Sequence, residues 1–276
     1  MGADKGRGRA GYKAAFMKKL SPPLKRVRRE AWISLFSVVF VISLWEAAVD
    51  LRWVNSAFFP SPLTIARATV DSIAGGELTS HVSSTMARMF AGFFAGAASG
   101  LVIGLAMGWS KEVRAFLDPI VSVIYPLPKI ALLPLIILLV GIGEGPVIMI
   151  VALGAFFPVL VNCVAGVANI EPIYFDVARN YGSGKLKTFV RVVLPGSLPM
   201  ALAGLRLALG MSLLLTVVVE MSIATKGLGA MLWLSWQTFR IEKIYVAIVI
   251  IAVLGLLLNW LLGLAGRRLA PWREAR

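Results

Sequence analysis

Long apolar stretches separated by short polar segments dominate the pattern of this chain. Six of these stretches reach about 20 residues, the length that an α-helix needs to cross a hydrocarbon core of about 30 Å. They are residues 32–49, 89–108, 120–140, 146–164, 200–221 and 245–264. The pattern therefore predicts an all-α polytopic membrane protein with six transmembrane helices.

Composition excludes a water-soluble globule. Of the 276 residues, 58% are hydrophobic and only 15% are charged, and the mean hydropathy is +0.82. Soluble domains carry about 25% charged residues. The predicted helices occupy most of residues 31–266, so we expect one transmembrane domain between two basic tails, residues 1–30 and 267–276.

The formal net charge of +14 is distributed unevenly along the chain. Most Lys and Arg residues lie in the two tails and in the connections after the second and fourth predicted helices. Cytoplasmic segments of membrane proteins retain such residues, so both termini are predicted to be cytoplasmic. A basic tail that adjoins a membrane helix favours contact with anionic membrane lipid over binding of nucleic acid.

The predicted cytoplasmic connection, residues 165–199, is too polar to span a membrane and has the pattern of two short amphipathic helices. Pro172 suits the first turn of the first helix. Three apolar residues recur on one side of that helix: Ile173, Val177 and Tyr181. Gly182 then suits the left-handed residue that ends a helix and turns the chain.

The second short helix is predicted to end at Leu194 and Pro195. Its apolar face contains Leu186, Phe189, Val190 and Val193. An amphipathic helix pair with an exposed apolar side needs a partner, which is either another protein or the membrane helices and lipid of its own subunit.

The sequence DVARNYG in this connection resembles the EAA motif of binding-protein-dependent ABC importer permeases. That motif reads Glu-Ala-Ala, three residues, Gly, nine residues, Ile, one residue, and Leu-Pro. The matching residues here are Asp176, Val177, Ala178, Gly182, Val192, Leu194 and Pro195. Asp in place of Glu keeps the carboxylate, whereas Val in place of the first Ala alters the docking face.

The resemblance extends over residues 58–260 and is nearest to the nitrate, sulfonate and taurine branch of these permeases. YPLPKIALLPLIILLVGIGEG from residue 125 and GLRLALG from residue 204 are similar to that branch, as is Glu220 followed by GLG at residues 227–229. The resemblance implies a type I ABC importer permease in a bacterial inner membrane, with a path for a small solute. It leaves the identity of that solute open.

The resemblance also implies the partners. Two ATP-binding cassette subunits would dock on the connection 165–199 and hydrolyse ATP with magnesium, so this chain would be neither an enzyme nor a cofactor-binding protein. A second permease copy, making a homodimer, and an external solute-binding protein would complete the importer. The alternatives are an ATP-independent secondary carrier and a membrane-embedded lipid-modifying enzyme, which would need clustered carboxylates, a metal triad or an activated nucleophile.

Four residues are candidates for the solute path or a gate. Pro126, Pro128 and Pro134 disturb the third predicted helix, and irregular backbone at membrane depth survives only inside protein or beside a watery cavity. Glu220 lies near the end of the fifth predicted helix. A carboxylate inside a membrane costs free energy, and such residues are often functional.

A glycine occurs at every fourth residue of the second predicted helix. These residues are Gly92, Gly96, Gly100, Gly104 and Gly108. Small residues at this spacing let another helix approach closely, either within the subunit or across a dimer. The chain has one His and one Cys, so we predict no metal site.

Overall fold

In the computed structural model, which describes residues 24–269, the regular elements are all helical. The helices are α1 Leu24–Asp50, α2 Pro62–Ala74, α3 Glu77–Trp109, α4 Lys111–Ile124, α5 Leu133–Val140, α6 Glu144–Ala168, α7 Pro172–Asn180, α8 Lys185–Thr188, α9 Leu194–Ile223, α10 Leu228–Gln237 and α11 Ile241–Leu269. A 3₁₀ turn, Lys129–Leu132, precedes α5, and a π-helical turn, Phe189–Val193, joins α8 to α9. The chain divides into two units, one up to Thr64 and one from Ile65 onward.

Four helices in the described part of the chain are long and apolar enough to cross a membrane. They are α3, α6, the continuous helix Lys185–Ile223, and α11. The pair α4 and Lys129–Val140 adds a fifth if the two pieces form one span. The remaining predicted stretch, residues 32–49, lies inside α1. The all-helical class is therefore confirmed, and the number of six spans stays a prediction.

Most of the two predicted tails lies outside the described residues. Of the N-terminal tail, residues 1–23 fall outside, and residues 24–30 already belong to α1. Of the C-terminal tail, residues 267–269 form the end of α11, and residues 270–276 fall outside.

The helix α6 is the centre of the packing in the second unit, because α3 and α9 both lie along it. One buried apolar cluster joins α3, α6, α9 and α11, and it contains Phe93, Val159 and Leu209. A second cluster joins α5 to α6 and α9 through Ile136, Ile150 and Val219. Because α6 is apolar on all sides, we expect neighbouring helices to bury its surface in this way.

The glycine stripe of α3 packs against α6 within the same subunit, which answers the question that the sequence left open. A Cβ atom added at Gly92 would lie 2.6 Å from Val151 Cβ, and one added at Gly96 would lie 2.1 Å from the carbonyl oxygen of Ala152. The same close approach to α6 continues at Gly100, Gly104 and Gly108. Any side chain at these glycines would collide with α6, so their small size sets the separation of the two helices.

The third predicted helix, residues 120–140, is not one straight helix. It consists of α4 and the segment Lys129–Val140, which meet at an angle of 89°. Pro126 and Pro128 lie in this break, as expected for residues that lack an N–H group. Pro134 was expected to disturb a helix but lies in the first turn of α5, where the N–H group needs no partner within the helix.

The side chain of Lys129 forms hydrogen bonds with the backbone in this break. Its Nζ donates hydrogen bonds to the carbonyl oxygens of Tyr125 and Leu127, the latter at 2.8 Å, and it lies 4.7 Å from the centre of the Phe157 ring. These carbonyls have lost their helical donors at the end of α4, so the ammonium group replaces the missing N–H groups.

The second predicted helix begins much earlier than residue 89. The helix α3 starts at Glu77, so Arg88 is a helical residue with only 8% of its surface exposed. The predicted stretch starts at residue 89 and leaves Arg88 outside, because a charged residue interrupts the apolar run. The structure corrects this, since Arg88 is paired inside the protein.

Candidate functional sites

The predicted helix pair in the connection 165–199 is present and begins as the sequence indicated. The helix α7 starts at Pro172, and Gly182 follows it with φ of 62°, in the left-handed region. Ser183 N donates to the carbonyl oxygen of Ala178 at 2.9 Å, and Gly182 N donates to that of Arg179 at 3.0 Å. These two bonds form a Schellman motif, which fixes the corner that Gly182 was predicted to make.

The apolar side of α7 faces away from the rest of the protein. Ile173 is 56% exposed, and Val177 and Tyr181 are also exposed, as is Leu186 on α8. We call these four residues the apolar stripe. The protein's own helices do not cover it in the described structure, so this alternative for the stripe is not observed.

Aromatic side chains fix the helix pair to the end of α3. The Trp109 ring lies between Phe175 of α7 and Phe189 of the π-helical turn, with ring centres separated by 6.4 and 5.9 Å. Such contacts hold α7 and α8 to the membrane helices while leaving the apolar stripe on the outside.

The prediction that the second short helix ends at Leu194 and Pro195 is wrong. The helix runs through both residues into α9, so Lys185–Ile223 is one helix of 39 residues. Pro195 lacks an N–H group and its ring crowds the preceding turn. The π-helical turn Phe189–Val193 lies directly before it and widens the backbone there, which accommodates the proline.

The remaining motif residues lie around this corner. Asp176 is exposed on α7, and Ala178 is half-buried. Val192 and Pro195 line a cleft of about 460 Å³ between the beginning of α7 and that of α9, and Leu194 is 37% exposed.

A cluster of charged side chains lies at the other end of α3 and α9. Arg88 donates from Nη2 to Glu144 Oε1 at 2.7 Å and from Nη1 to Glu220 Oε1 at 2.8 Å, and its Nε also donates to Glu144. Glu220 is completely buried, whereas the side chain of Glu144 is 64% exposed. We call Thr85, Arg88, Glu144 and Glu220 the charge cluster.

The charge cluster holds the backbone at the beginning of α10. Thr85 Oγ1 donates to Glu220 Oε2 at 2.8 Å and accepts from Leu228 N at 2.8 Å. Glu220 Oε2 also accepts from Gly229 N at 3.1 Å, and Arg88 Nη1 donates to the carbonyl oxygen of Lys226. These bonds satisfy N–H groups that the first turn of a helix leaves without partners.

His81 adds one more bond to the same turn. Its Nδ1 lies 3.0 Å from Gly227 N and accepts from it. His81 precedes the second predicted stretch, residues 89–108, and lies on the first turns of α3. No group of metal-ligating side chains occurs among residues 24–269.

Sequence reasoning singled out Glu220 but missed its partners. A buried carboxylate requires a cation or several donors, and this requirement pointed to a nearby Arg or Lys. Arg88 was the available signal, because it directly precedes a long apolar run. The spacing along the chain, more than 130 residues, hid the pairing.

Comparisons with known proteins identify the family. Residues 99–271 match the family described as "Binding-protein-dependent transport system inner membrane component". The chain belongs to this family. It is a membrane permease rather than an enzyme.

Two relatives of this permease are named for sulfur-containing solutes. It is 34% identical over 249 residues to the putative aliphatic sulfonates transport permease of Bacillus subtilis strain 168, covering 90% of each chain. It is 31% identical over 250 residues to the taurine transport system permease of Escherichia coli strain K12, covering 88% of this chain and 90% of that one.

A solved structure shares the fold. A chain of the methionine ABC transporter MetNI in inward-facing conformations superposes with a TM-score of 0.57 at 21% identity, covering 71% of this permease and 95% of that chain. The likeness concerns the arrangement of helices alone.

Proposed function

We propose that this permease is the membrane-spanning subunit of an ATP-driven importer for a small solute of the sulfonate, taurine or nitrate class. It crosses the inner membrane six times with both termini in the cytoplasm, and a second copy completes the path. An external binding protein delivers the solute. The relatives named for sulfonates and taurine support this solute class.

The observation that carries the proposal is the apolar stripe on a stiff corner. The stripe lies on the helix pair whose spacing matches the EAA motif, and exposed apolar side chains at helical spacing suit a groove on a partner. The partner is a separate ATP-binding subunit, two of which dock on the importer and hydrolyse ATP with magnesium.

The proposed coupling uses the corner as a rigid contact. Closure of the ATP-binding subunits pushes on α7 through the stripe and Asp176, and the Schellman motif at Gly182 prevents α7 from folding away from α8. The same push then reaches the membrane helices and switches the path between inward-facing and outward-facing states. Pro126 and Pro128 lie in the broken helix that we assign to the path.

The proposal is tested by affinity purification of the tagged permease from gently solubilised membranes of the native host. We expect an ATP-binding subunit to accompany the wild type. Asp176→Lys places a repulsive, poorly solvated charge at the contact, which costs about 2 kcal/mol or more and reduces recovery of the partner at least about tenfold.

Asp71→Lys is the matched control, because it makes the same change of charge at an exposed residue of α2, away from the helix pair. Recovery of the ATP-binding subunit from this variant should equal that from the wild type. A wild-type permease that is purified alone in several mild detergents, and that supports solute flux without ATP, would instead indicate a secondary carrier.

The solute class is tested by uptake of labelled taurine in cells that express the whole importer. Unlabelled ethanesulfonate and nitrate serve as competitors, and methionine is the control solute. Competition by the anions, without competition by methionine, supports the proposed class, and the reverse result contradicts it.

A further inference from the structure

The beginning of α10 is held by side chains from two helices, α3 and α9. Backbone groups of four consecutive residues, 226–229, bind Arg88, His81, Thr85 and Glu220, in that order. Among the residues described, no buried side-chain polar atom lacks a partner. This turn is therefore fixed by a complete hydrogen-bond network rather than by apolar packing alone.

The cluster lies where the buried core meets the protein surface. Glu220 is fully buried, Arg88 is nearly so, and Glu144 reaches the surface. The buried part is stabilised because each charge has several partners. Solvent reaches only the Glu144 carboxylate, which Arg88 binds through both Nε and Nη2.

The turn before α10 contains a glycine that lies against the charge cluster. Gly227 has φ of 124°, a conformation that side chains rarely adopt, and α9 ends only four residues earlier. A Cβ atom added at Gly227 would lie 2.3 Å from the Glu220 carboxylate, so the backbone there lies directly on the charge cluster. Loss of the bond to Glu220 removes one of the four side-chain contacts that hold this turn.

The other end of α10 is much less enclosed. Trp233 and Trp236 stack with ring centres 5.3 Å apart and are exposed, and Phe239, which follows the helix, is 81% exposed with φ of 54°. Thus α10 is held at its first turn and is open at its last turn, as expected of a flap.

We propose that Thr85, Arg88 and Glu220 form a catch for α10, and that α10 is an outer flap of the solute path. In the resting permease the catch holds the flap against α3 and α9. During transport the first turn of α10 leaves Glu220 and Thr85, and the flap opens toward the binding protein. These three side chains are positioning residues. The inference rests on the proposed importer function and its orientation.

The test measures whether α10 moves away from α3 and α9. Ser235 lies on the buried side of α10 with 5% of its surface exposed, so Ser235→Cys introduces a thiol that only an open flap exposes. Cys163→Ala removes the single native thiol. A membrane-impermeant maleimide then reports the rate of labelling in intact spheroplasts.

In the resting permease we expect slow labelling of Ser235→Cys. Thr85→Val, which removes the hydroxyl but no charge, should raise this rate at least about fivefold, a usual size for coupling between sites. Glu220→Gln should do the same. Active transport in the wild-type background should also raise the rate.

Two controls separate opening of the flap from other effects. Glu77→Gln breaks the partly exposed ion pair with Lys243 and should leave the labelling rate unchanged. Gln237→Cys is exposed on the same helix and should be labelled rapidly in every variant. If Glu220→Gln does not accumulate in the membrane, Thr85→Val supplies the same test without altering a charge.

The catch would be refuted by labelling of Ser235→Cys that stays slow in Thr85→Val and during active transport. If Gln237→Cys is labelled only in inverted vesicles, the proposed orientation is wrong. The labelling of Ser235→Cys is then measured in inverted vesicles instead of spheroplasts. Loss of the ATP-binding partner in purification concerns the proposed function alone, because the resting labelling rates need no partner.

Discussion

The regions at the two ends of α3 and α9 each depart from the usual distribution, in which apolar side chains are buried and charged side chains are exposed. At one end the apolar stripe, Ile173, Val177, Tyr181 and Leu186, is exposed, and at the other end Arg88 and Glu220 are buried. Apolar side chains outside and charged side chains inside are each informative exceptions. The described part of this chain does not cover the first region, whereas the second region contains its partners within the same chain.

Because the two regions differ in this way, substitutions in them should affect different properties of the permease. Arg88 and Trp109 lie on the same helix about 30 Å apart, given a rise of about 1.5 Å per residue. At this distance the free-energy effects of changes in the two regions should add. Changes in the charge cluster should affect stability, whereas changes in the apolar stripe should affect assembly.

The largest effect is expected for Arg88→Ala. It leaves the buried carboxylate of Glu220 without its cation, which should lower the free energy of unfolding by about 3–5 kcal/mol. Thermal unfolding in detergent and the amount of permease in the membrane measure this loss. The ion pair of Glu77 with Lys243 is partly exposed, so Glu77→Ala should cost about 1 kcal/mol or less. Equal losses in both variants would contradict a special role for the cluster.

An intermediate effect is expected for Gly96→Ala, which lies between the two regions. The new methyl group would meet the backbone of Ala152, so we expect a loss of about 1–3 kcal/mol in thermal unfolding. Gly210→Ala is the control, since open space surrounds that position on α9. A neutral Gly96→Ala would show that α3 and α6 are less tightly packed than this contact requires.

The smallest effect on stability is expected for Gly182→Val. A branched side chain at a φ of 62° costs about 1–2 kcal/mol locally, so the permease should still insert while transport driven by ATP is lost. Gly184→Val is the control, because Gly184 has φ of −67° and free space around it. Uptake by both variants at the wild-type rate would count against the rigid corner.

The sequence predicted the features that depend on neighbouring residues. The helix pair, its start at Pro172, the left-handed Gly182 and the close packing of the glycine stripe all follow from local spacing and backbone conformation. These are properties of a turn or a helix face, so a single sequence suffices to find them.

The sequence failed where distant residues or continuous backbone decide the structure. Pro195 suggested a helix end because proline usually breaks a helix, but a preceding π-helical turn accommodates it. The second predicted helix begins at residue 89, just after Arg88, because charge interrupts a membrane helix, but Glu220 compensates that charge from another helix. Neither compensation is visible in the local pattern.

The unbroken helix from Lys185 to Ile223 has a mechanical consequence. Its 39 residues extend over about 58 Å, given a rise of about 1.5 Å per residue. A tilt of only about 5° about one end displaces the other end by about 5 Å, roughly one helical turn. In the importer that we propose, a lever of this length would convert a small angular movement at the ATP-binding subunits into a displacement that is large enough to admit or exclude a small solute at the other end of the helix.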